Sequence, residues 1–275
     1  WLEDLQSKRL INLLYNYEYI NSSSKINDKN KLDSIIFFHI QRVIFDFNNK
    51  KINQLTSFDI IAYLLSCLIT KKINEHKINY IKFIVEKQID KLGMHKSYNI
   101  LEHSKFINNL SEAKSILLFF KSKKNYVFDE IILKMTSILN EYFHYDGTIP
   151  LFNGSNNIYT KNIYNSLNKE RYLKKREFLN VDNGIAFYSD KNKKIFFDIV
   201  QPNEDMISSN LSAGTLSIEL SGFNEKIFTN CGASESFGKN PEYLKYSAAH
   251  STIILQNTNI SEIKEGNPHI RFPQS

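Results

Sequence analysis

NLSAGTLSIELSGFNEKIFTNCGASESFGKNPEYLKYSAAH, residues 210 to 250, followed directly by STIILQNTNISEI, is the stretch on which the fold is decided. Thr215 to Ser221 alternates polar and apolar residues with period two, the mark of a half-buried strand. Gly222-Phe223-Asn224 supplies a turn, and Lys226 to Asn230 follows as a second strand. Ser251 to Leu255, a short run rich in β-branched residues directly after Ala248-Ala249-His250, is predicted to be a third. Within the first strand Leu216, Ile218 and Leu220 share one face, and Thr215, Ser217 and Glu219 share the other. Glu219 is therefore expected to face solvent or a cleft.

Outward from this stretch the composition changes abruptly. Residues 1 to 146 contain no Pro and one Gly, Gly93, whereas residues 147 to 275 hold all five Pro and the other eight Gly. A breaker-free half followed by a breaker-rich half predicts helices and then strands and turns. Apolar residues recur at i, i+3 and i+4 over Asp33 to Phe47, Ser57 to Thr70, Lys77 to Leu92, Leu101 to Phe120 and Phe128 to Phe143. These read as antiparallel helix pairs, with Asn21 to Lys31, Asn48 to Leu55 and Lys71 to His76 as polar connections. No fixed-period repeat of residue identity is present. The expected organisation is a helical domain over 1–146, a connecting segment over 147–183 and a sheet domain over 184–275.

Leu216-Ser217-Ile218-Glu219, Asn230-Cys231-Gly232 and Ala248-Ala249-His250-Ser251-Thr252, in that order and spacing, resemble the sheet-domain signature of the heparinase II/III-like polysaccharide lyases. Upstream, Phe143-His144-Tyr145-Asp146-Gly147 with Leu151-Phe152-Asn153-Gly154 is similar to that family's link between its helical and sheet domains. The resemblance implies an incomplete α/α toroid followed by an antiparallel β-sandwich. The chain begins at Trp1 without Met and stops after Phe-Pro-Gln-Ser, so both domains are expected to be truncated.

The departure from the pattern is as informative as the match. The family carries a His-x-His-x-Asp segment before the Leu-Ser-Phe-Glu strand; here Asn210, Ser212 and Gly214 stand at those positions. A subgroup of bacterial relatives reads Ala-His-Ala-Gly before Thr-Leu-Ser, and this chain is similar to that subgroup, with Ser212 in place of its remaining His. His250 resembles the family's metal-linked or structural histidine. Zinc generally takes three or four ligands, and the positions that would supply His250 with partners are Ser212 and Gly214. No metal or other cofactor is expected.

The activity implied by the resemblance is β-elimination across a uronate in an anionic polysaccharide or oligosaccharide. A neutralised carboxylate makes the C5 proton acidic, a base removes it, and an acid protonates the departing glycosidic oxygen. No water is consumed, so a glycosidase's paired carboxylates are not required. The resemblance makes Tyr145, His144, His95 and Asn99 the catalytic candidates and Asn153, Asn210, Glu219 and His250 the substrate-binding ones. His95 matches the His of the relatives' Asp-Gly-Gly-His loop, although Leu92 replaces the Asp and Tyr98 the Arg that follows. Each cluster also has a plainer reading. Gly93 to Asn99 could be a turn joining two helices with His95 exposed, and Asp146-Gly147 a hinge against which rings pack. The alternative to an active lyase is a catalytically degenerate carbohydrate-binding relative.

A net charge of +6 suits an anionic polymer. Nucleic acid is not expected as a partner, because Lys, Asn and Ile are abundant together everywhere and no Arg-rich stripe stands out. Cys67 and Cys231 fall in different halves without CxxC or Cys/His spacing, which argues against a disulfide framework and a zinc ribbon. His39, His76, His103 and His269 have no partner spacing. No apolar run reaches the roughly 18 residues of a membrane span, and no signal peptide is visible. The family points to the cell envelope or periplasm, with the cytoplasm left open.

Overall fold

The computed structural model describes residues 5–22, 26–120, 127–156, 184–200, 212–233, 241–264 and 267–273. Among them are seven α-helices: α1 (Leu5–Tyr15), α2 (Tyr17–Ser22), α3 (Ile26–Asn49), α4 (Ser57–Thr70), α5 (Glu75–Gln88), α6 (Ile100–Leu118) and α7 (Asp129–Glu141). Six strands follow: β1 (Ile185–Ser189), β2 (Lys193–Asp198), β3 (Ile218–Gly222), β4 (Glu225–Phe228), β5 (Ser261–Lys264) and β6 (Asn267–Pro273). The mixed class expected from the sequence is thus the one observed. The chain divides into two compact units, one of Trp1–Gln88 and Phe106–Ile132, the other of Ile89–Lys105 and Leu133–Ser275.

The first unit is built on α4. Every residue from Asp59 to Cys67 is buried, as expected of a helix whose composition is apolar on all sides. Thr56 and Asp59 close its N-terminus with a capping box, which satisfies two otherwise orphaned N–H groups. The Asp59 carboxylate also takes the Lys50 ammonium at 3.1 Å. Tyr63 stacks on Phe47 of α3 with ring centroids 3.9 Å apart. Lys71, in the left-handed region at φ +55, ends the helix.

The second unit contains a four-stranded antiparallel sheet of order β1-β2-β3-β4 and a two-stranded one, β5-β6. Register puts Ile185 opposite Asp198, Phe187 opposite Phe196 and Ser189 opposite Lys194, and continues Phe196 to Glu219 and Lys194 to Ser221 to Lys226. One face of the sheet therefore carries Ile185, Phe187, Phe196, Asp198, Glu219, Ser221 and Lys194, all buried. The other carries Tyr188, Ile195, Phe197, Ile218, Leu220 and Phe228, none of them buried. Phe223 and Asn224 both take positive φ, 52° and 66°, in the two-residue turn joining β3 to β4.

Several expectations need correction. The strand predicted over Thr215 to Ser221 begins only at Ile218, because Leu216 adopts φ +62 in a turn and its side chain is 51% exposed. The face assignment is inverted: Glu219 is fully buried, and its apolar neighbours Ile218 and Leu220 lie on the more exposed side. Ser251 to Leu255 is not a strand. Ser251 N–H and Thr252 Oγ1 are taken up by Asn230 Oδ1 and Thr215 O, and Leu255 makes only an isolated bridge to Thr258. In the helical half α1 and α2 were not anticipated, α3 begins inside the supposed connection at Ile26, and α5 stops at Gln88 rather than Leu92.

Candidate functional site

The segment after α7 lies against the polar buried face of the sheet, and one carboxylate holds it there. Glu219 Oε2 accepts a hydrogen bond from His144 Nε2 at 3.0 Å, with Lys226 Nζ at 3.4 Å. Its Oε1 accepts from Leu151 N (2.9 Å), Asn230 N (3.1 Å) and Asn230 Nδ2 (3.2 Å). His144, 3% exposed, places Nδ1 2.8 Å from Ser221 Oγ, and its ring meets Phe196 edge-on at 4.7 Å. Lys194 is buried in the same face, donating to Phe143 O at 2.7 Å with its ammonium 5.2 Å from each of the Phe187 and Phe196 rings. Such a face is tolerable only because its polar atoms are bonded to one another.

Burial pushes the His144 imidazole down by more than the Glu219 hydrogen bond raises it, so it is neutral near pH 7. Burial pushes the Glu219 carboxyl up, but the His144 bond, the Lys226 ammonium and the Leu151 and Asn230 N–H groups outweigh it. The carboxyl therefore sits below its usual range and is ionised. Tyr145, the next residue, is only half-buried; its hydroxyl is bonded to Ser189 Oγ at 3.0 Å and to Asp190 O in the turn joining β1 to β2.

A second cluster forms around the His95 loop. Asp90 Oδ1 accepts the N–H groups of Leu92, Gly93 and Met94, which turns the chain out of α5, and His95 N donates to His103 Nδ1 at 3.1 Å. His103 Nε2 in turn donates to Met135 O. His95 Nδ1 accepts from Ser97 N and lies 2.8 Å from Ser97 Oγ. The loop histidine is therefore buried, contrary to the exposed-turn reading. Asn99 caps α6 by accepting Glu102 N, accepts Ser155 Oγ as well, and donates to Asn153 O. Asn153, at φ +50 and fully buried, donates to Tyr98 O at 3.3 Å and approaches Asp198 Oδ1 at 3.5 Å. Gly184, at φ +84, is where the Tyr98 ring lies: a Cβ there would meet Cδ1 at 2.2 Å.

Burial drives His95 down to about 3 and His103 down to about 4. An imidazole with a depressed folded-state pKa contributes stability that is full above its unfolded value of about 6.5 and is lost as pH falls towards the folded one. His144 shifts in the same direction, and Glu219 adds its own loss in the carboxylate range. Thermal unfolding is expected to move steadily to lower temperature as pH drops from 7 to about 4. A melting temperature constant across that window would show that these rings are not buried neutral.

His250, half-buried, lies with its ring against Gly214: a Cβ at Gly214 would come within 3.1 Å of His250 Cγ. The two positions aligned through the motif are therefore spatial neighbours, and the one at Gly214 offers no side chain. Ser212 is buried nearby in sequence, while Asn210 lies outside the described residues. Among the described residues no group of three His, Cys, Asp or Glu side chains is placed to hold a metal ion.

The structure thus groups His144, Tyr145 and Glu219 around one sheet face, and His95, Asn99 and Asn153 around another set of bonds. Sequence reasoning missed Lys194, Ser221, Lys226, Asp198 and His103. The alternation of Lys194, Phe196 and Asp198 in the Lys193–Asp198 strand was a signal for the first and fourth, because it puts two charges on a face with a phenylalanine. Asn230 and Gly232 acquire a physical reading. Asn230 ties Glu219 to Ser251, and Gly232 at φ +68 passes so close to Ser155 O that a Cβ would lie 2.7 Å away.

A helical half followed by an antiparallel sheet defines the architecture, and known proteins share this fold. Residues 175–269 match the family described as heparinase II/III-like, C-terminal. The fold is similar to that of a crystal structure of heparinase III, with a TM-score of 0.75 at 15% identity over 94% of this chain and 48% of that one. It is also similar to a heparan sulfate lyase HepC mutant from Pedobacter heparinus (TM-score 0.65, 14% identity, 97% of this chain and 48% of that one). A third similar structure is the heparinase III BT4657 gene product (TM-score 0.66, 14% identity, 94% and 46%). The chain spans about half the length of these structures. No curated protein matches the sequence. Among the described residues no helix is long and apolar enough to cross a membrane.

Proposed function

We propose that this protein is a polysaccharide lyase that cleaves a uronate-containing anionic polysaccharide by β-elimination, in the cell envelope or periplasm. The observation that carries the reading is Tyr145, a half-buried phenol with its hydroxyl at the β1-β2 turn, on a segment fixed to the sheet through its neighbour His144. A phenol there serves as the proton-transfer group, with Ser189 Oγ beside it to share the hydrogen bond. The positive balance of the chain favours an anionic polymer. Intact protein incubated with a panel of uronate polymers is expected to generate unsaturated uronate, followed by its ultraviolet absorbance.

A second reading is favoured by the occupation of the other candidates. Asn99 has its amide bonded on both sides, His95 is buried and neutral, and Asn153 is fully buried. A carbohydrate-binding relative without elimination chemistry would retain a polymer but release no unsaturated product. Zinc has no part in either reading: with Ser212 and Gly214 at the positions of potential ligands, purified protein is expected to hold no stoichiometric zinc by elemental analysis, and one tightly bound ion per chain would reveal ligands elsewhere.

A further inference from the structure

Ser221, His144 and Glu219 are arranged as a serine–histidine–carboxylate relay, with Ser221 Oγ 2.8 Å from Nδ1 and Glu219 Oε2 3.0 Å from Nε2. The relay is not a hydrolytic nucleophile site. Ser221 and Glu219 are 0% exposed and His144 3%, so no acyl substrate reaches the hydroxyl. Its geometry serves another end. Glu219 Oε2 grips His144 at the start of the joining segment, and Oε1 grips the Leu151 N–H farther along it. Tyr145 lies between those two bonds. On the sheet side the same carboxylate is held by the Asn230 N–H and Nδ2 groups and by Lys226.

We propose that Glu219 is a positioning residue that closes the His144-to-Leu151 loop on the sheet and fixes the His144 imidazole as its Nε2–H form, thereby setting where the Tyr145 hydroxyl stands. An ionised carboxylate is acceptor-only, so the imidazole nitrogen facing it must carry the proton. Nδ1 is then the acceptor and Ser221 Oγ–H the donor. All three groups are satisfied in this single arrangement, and the ring has no second orientation that keeps both bonds. The consequence for turnover rests on the lyase reading above; the consequence for the imidazole does not.

Glu219→Gln separates the two. The glutamine oxygen can still accept Leu151 and Asn230, while its amide NH2 must face His144 and can only donate. In isotope-labelled intact protein, histidine nitrogen chemical shifts are expected to show His144 as Nε2–H in the wild type and as Nδ1–H in Glu219→Gln. Turnover per folded molecule is expected to fall on the order of 10²-fold with KM little changed, because a small displacement of the transferring hydroxyl is costly. An unswitched tautomer, or wild-type kcat in folded Glu219→Gln, would overturn the proposal. Should Glu219→Gln not fold, Ser221→Ala answers the same question. Retention of Nε2–H there supports Glu219 as the determinant, and a tautomer mixture shows that Ser221 sets the ring instead. Wild-type protein yielding no unsaturated product on any polymer would overturn the lyase reading, and the tautomer result alone would then decide this one.

Discussion

Glu219→Ala is expected to lower the free energy of unfolding by about 3–5 kcal/mol, the scale seen when one partner of a buried charged pair is removed. The carboxylate is fully buried and collects the bonds of His144, Leu151, Asn230 and Lys226. Alanine leaves the Leu151 and Asn230 N–H groups without an acceptor and the Lys226 ammonium without its counter-ion. Each buried donor so orphaned costs about 1–3 kcal/mol, offset in part if the strand relaxes or water enters. Glu225→Ala, on exposed β4 in the same sheet, is expected to stay within about 0.5 kcal/mol of wild type. Chemical denaturation of both variants beside wild type is the check. A Glu219→Ala loss no larger than that of Glu225→Ala would mean that the network contributes nothing net to the fold.

The prediction concerns a residue whose environment the sequence misrepresented, and the reason is physical. Period-two alternation states which residues share a face; it does not state which face is buried. Assigning Leu216, Ile218 and Leu220 to the interior follows the general preference for apolar burial. Here the interior face is instead the one carrying Glu219 and Ser221, because partners 68 to 77 residues away in sequence, His144 and Leu151, satisfy it. Partners so distant leave no trace in the local pattern. The alternation flagged Lys194 but not its partner, for the same reason: the acceptor is the backbone carbonyl of Phe143, and any carbonyl would read alike.

Where local chemistry decides, the sequence was legible. α4 has the predicted bounds Ser57–Thr70, since its apolar residues surround the helix and Thr56 and Asp59 form the cap. The turn at Phe223-Asn224 also falls where the residues indicated. Ser251 to Leu255 failed because β-branched composition favours an extended chain without supplying an edge to pair with. Ser251 N–H is spent on Asn230, and Ile253 and Leu255 remain exposed at 63% and 72%. Among the candidate site residues, the motif located His144, Tyr145 and His250 without distinguishing a group that touches substrate from one that holds another in place. Burial separates His144, sealed against the sheet, from Tyr145 and His250, both half-buried, and of these two Tyr145 is the phenol on which the proposed elimination rests.

Tyr145→Phe is therefore expected to reduce the appearance of unsaturated uronate by on the order of 10²-fold or more, the usual consequence of deleting a proton-transfer group. Phenylalanine keeps the ring and removes only the hydroxyl bonded to Ser189 Oγ and Asp190 O. Those partners lie at the turn joining β1 to β2, where Asp190 is exposed, so the stability cost is expected to be about 0.5–1.5 kcal/mol and folding is retained. The contrast with Glu219→Ala is the informative part: one variant loses turnover with little stability, the other loses stability first. His144 cannot substitute as the base, because both ring nitrogens are already bonded and the ring is buried. His95 is farther from that role, held neutral among Ser97 and the His103 loop contacts. The assay uses intact protein and the polymer panel, with polymer binding measured in parallel. Activity unchanged in Tyr145→Phe would remove this phenol from the chemistry while leaving the match of residues 175–269 to the heparinase II/III-like family as it stands. Binding retained in both proteins, with product in neither, would identify the chain as the binding-only relative.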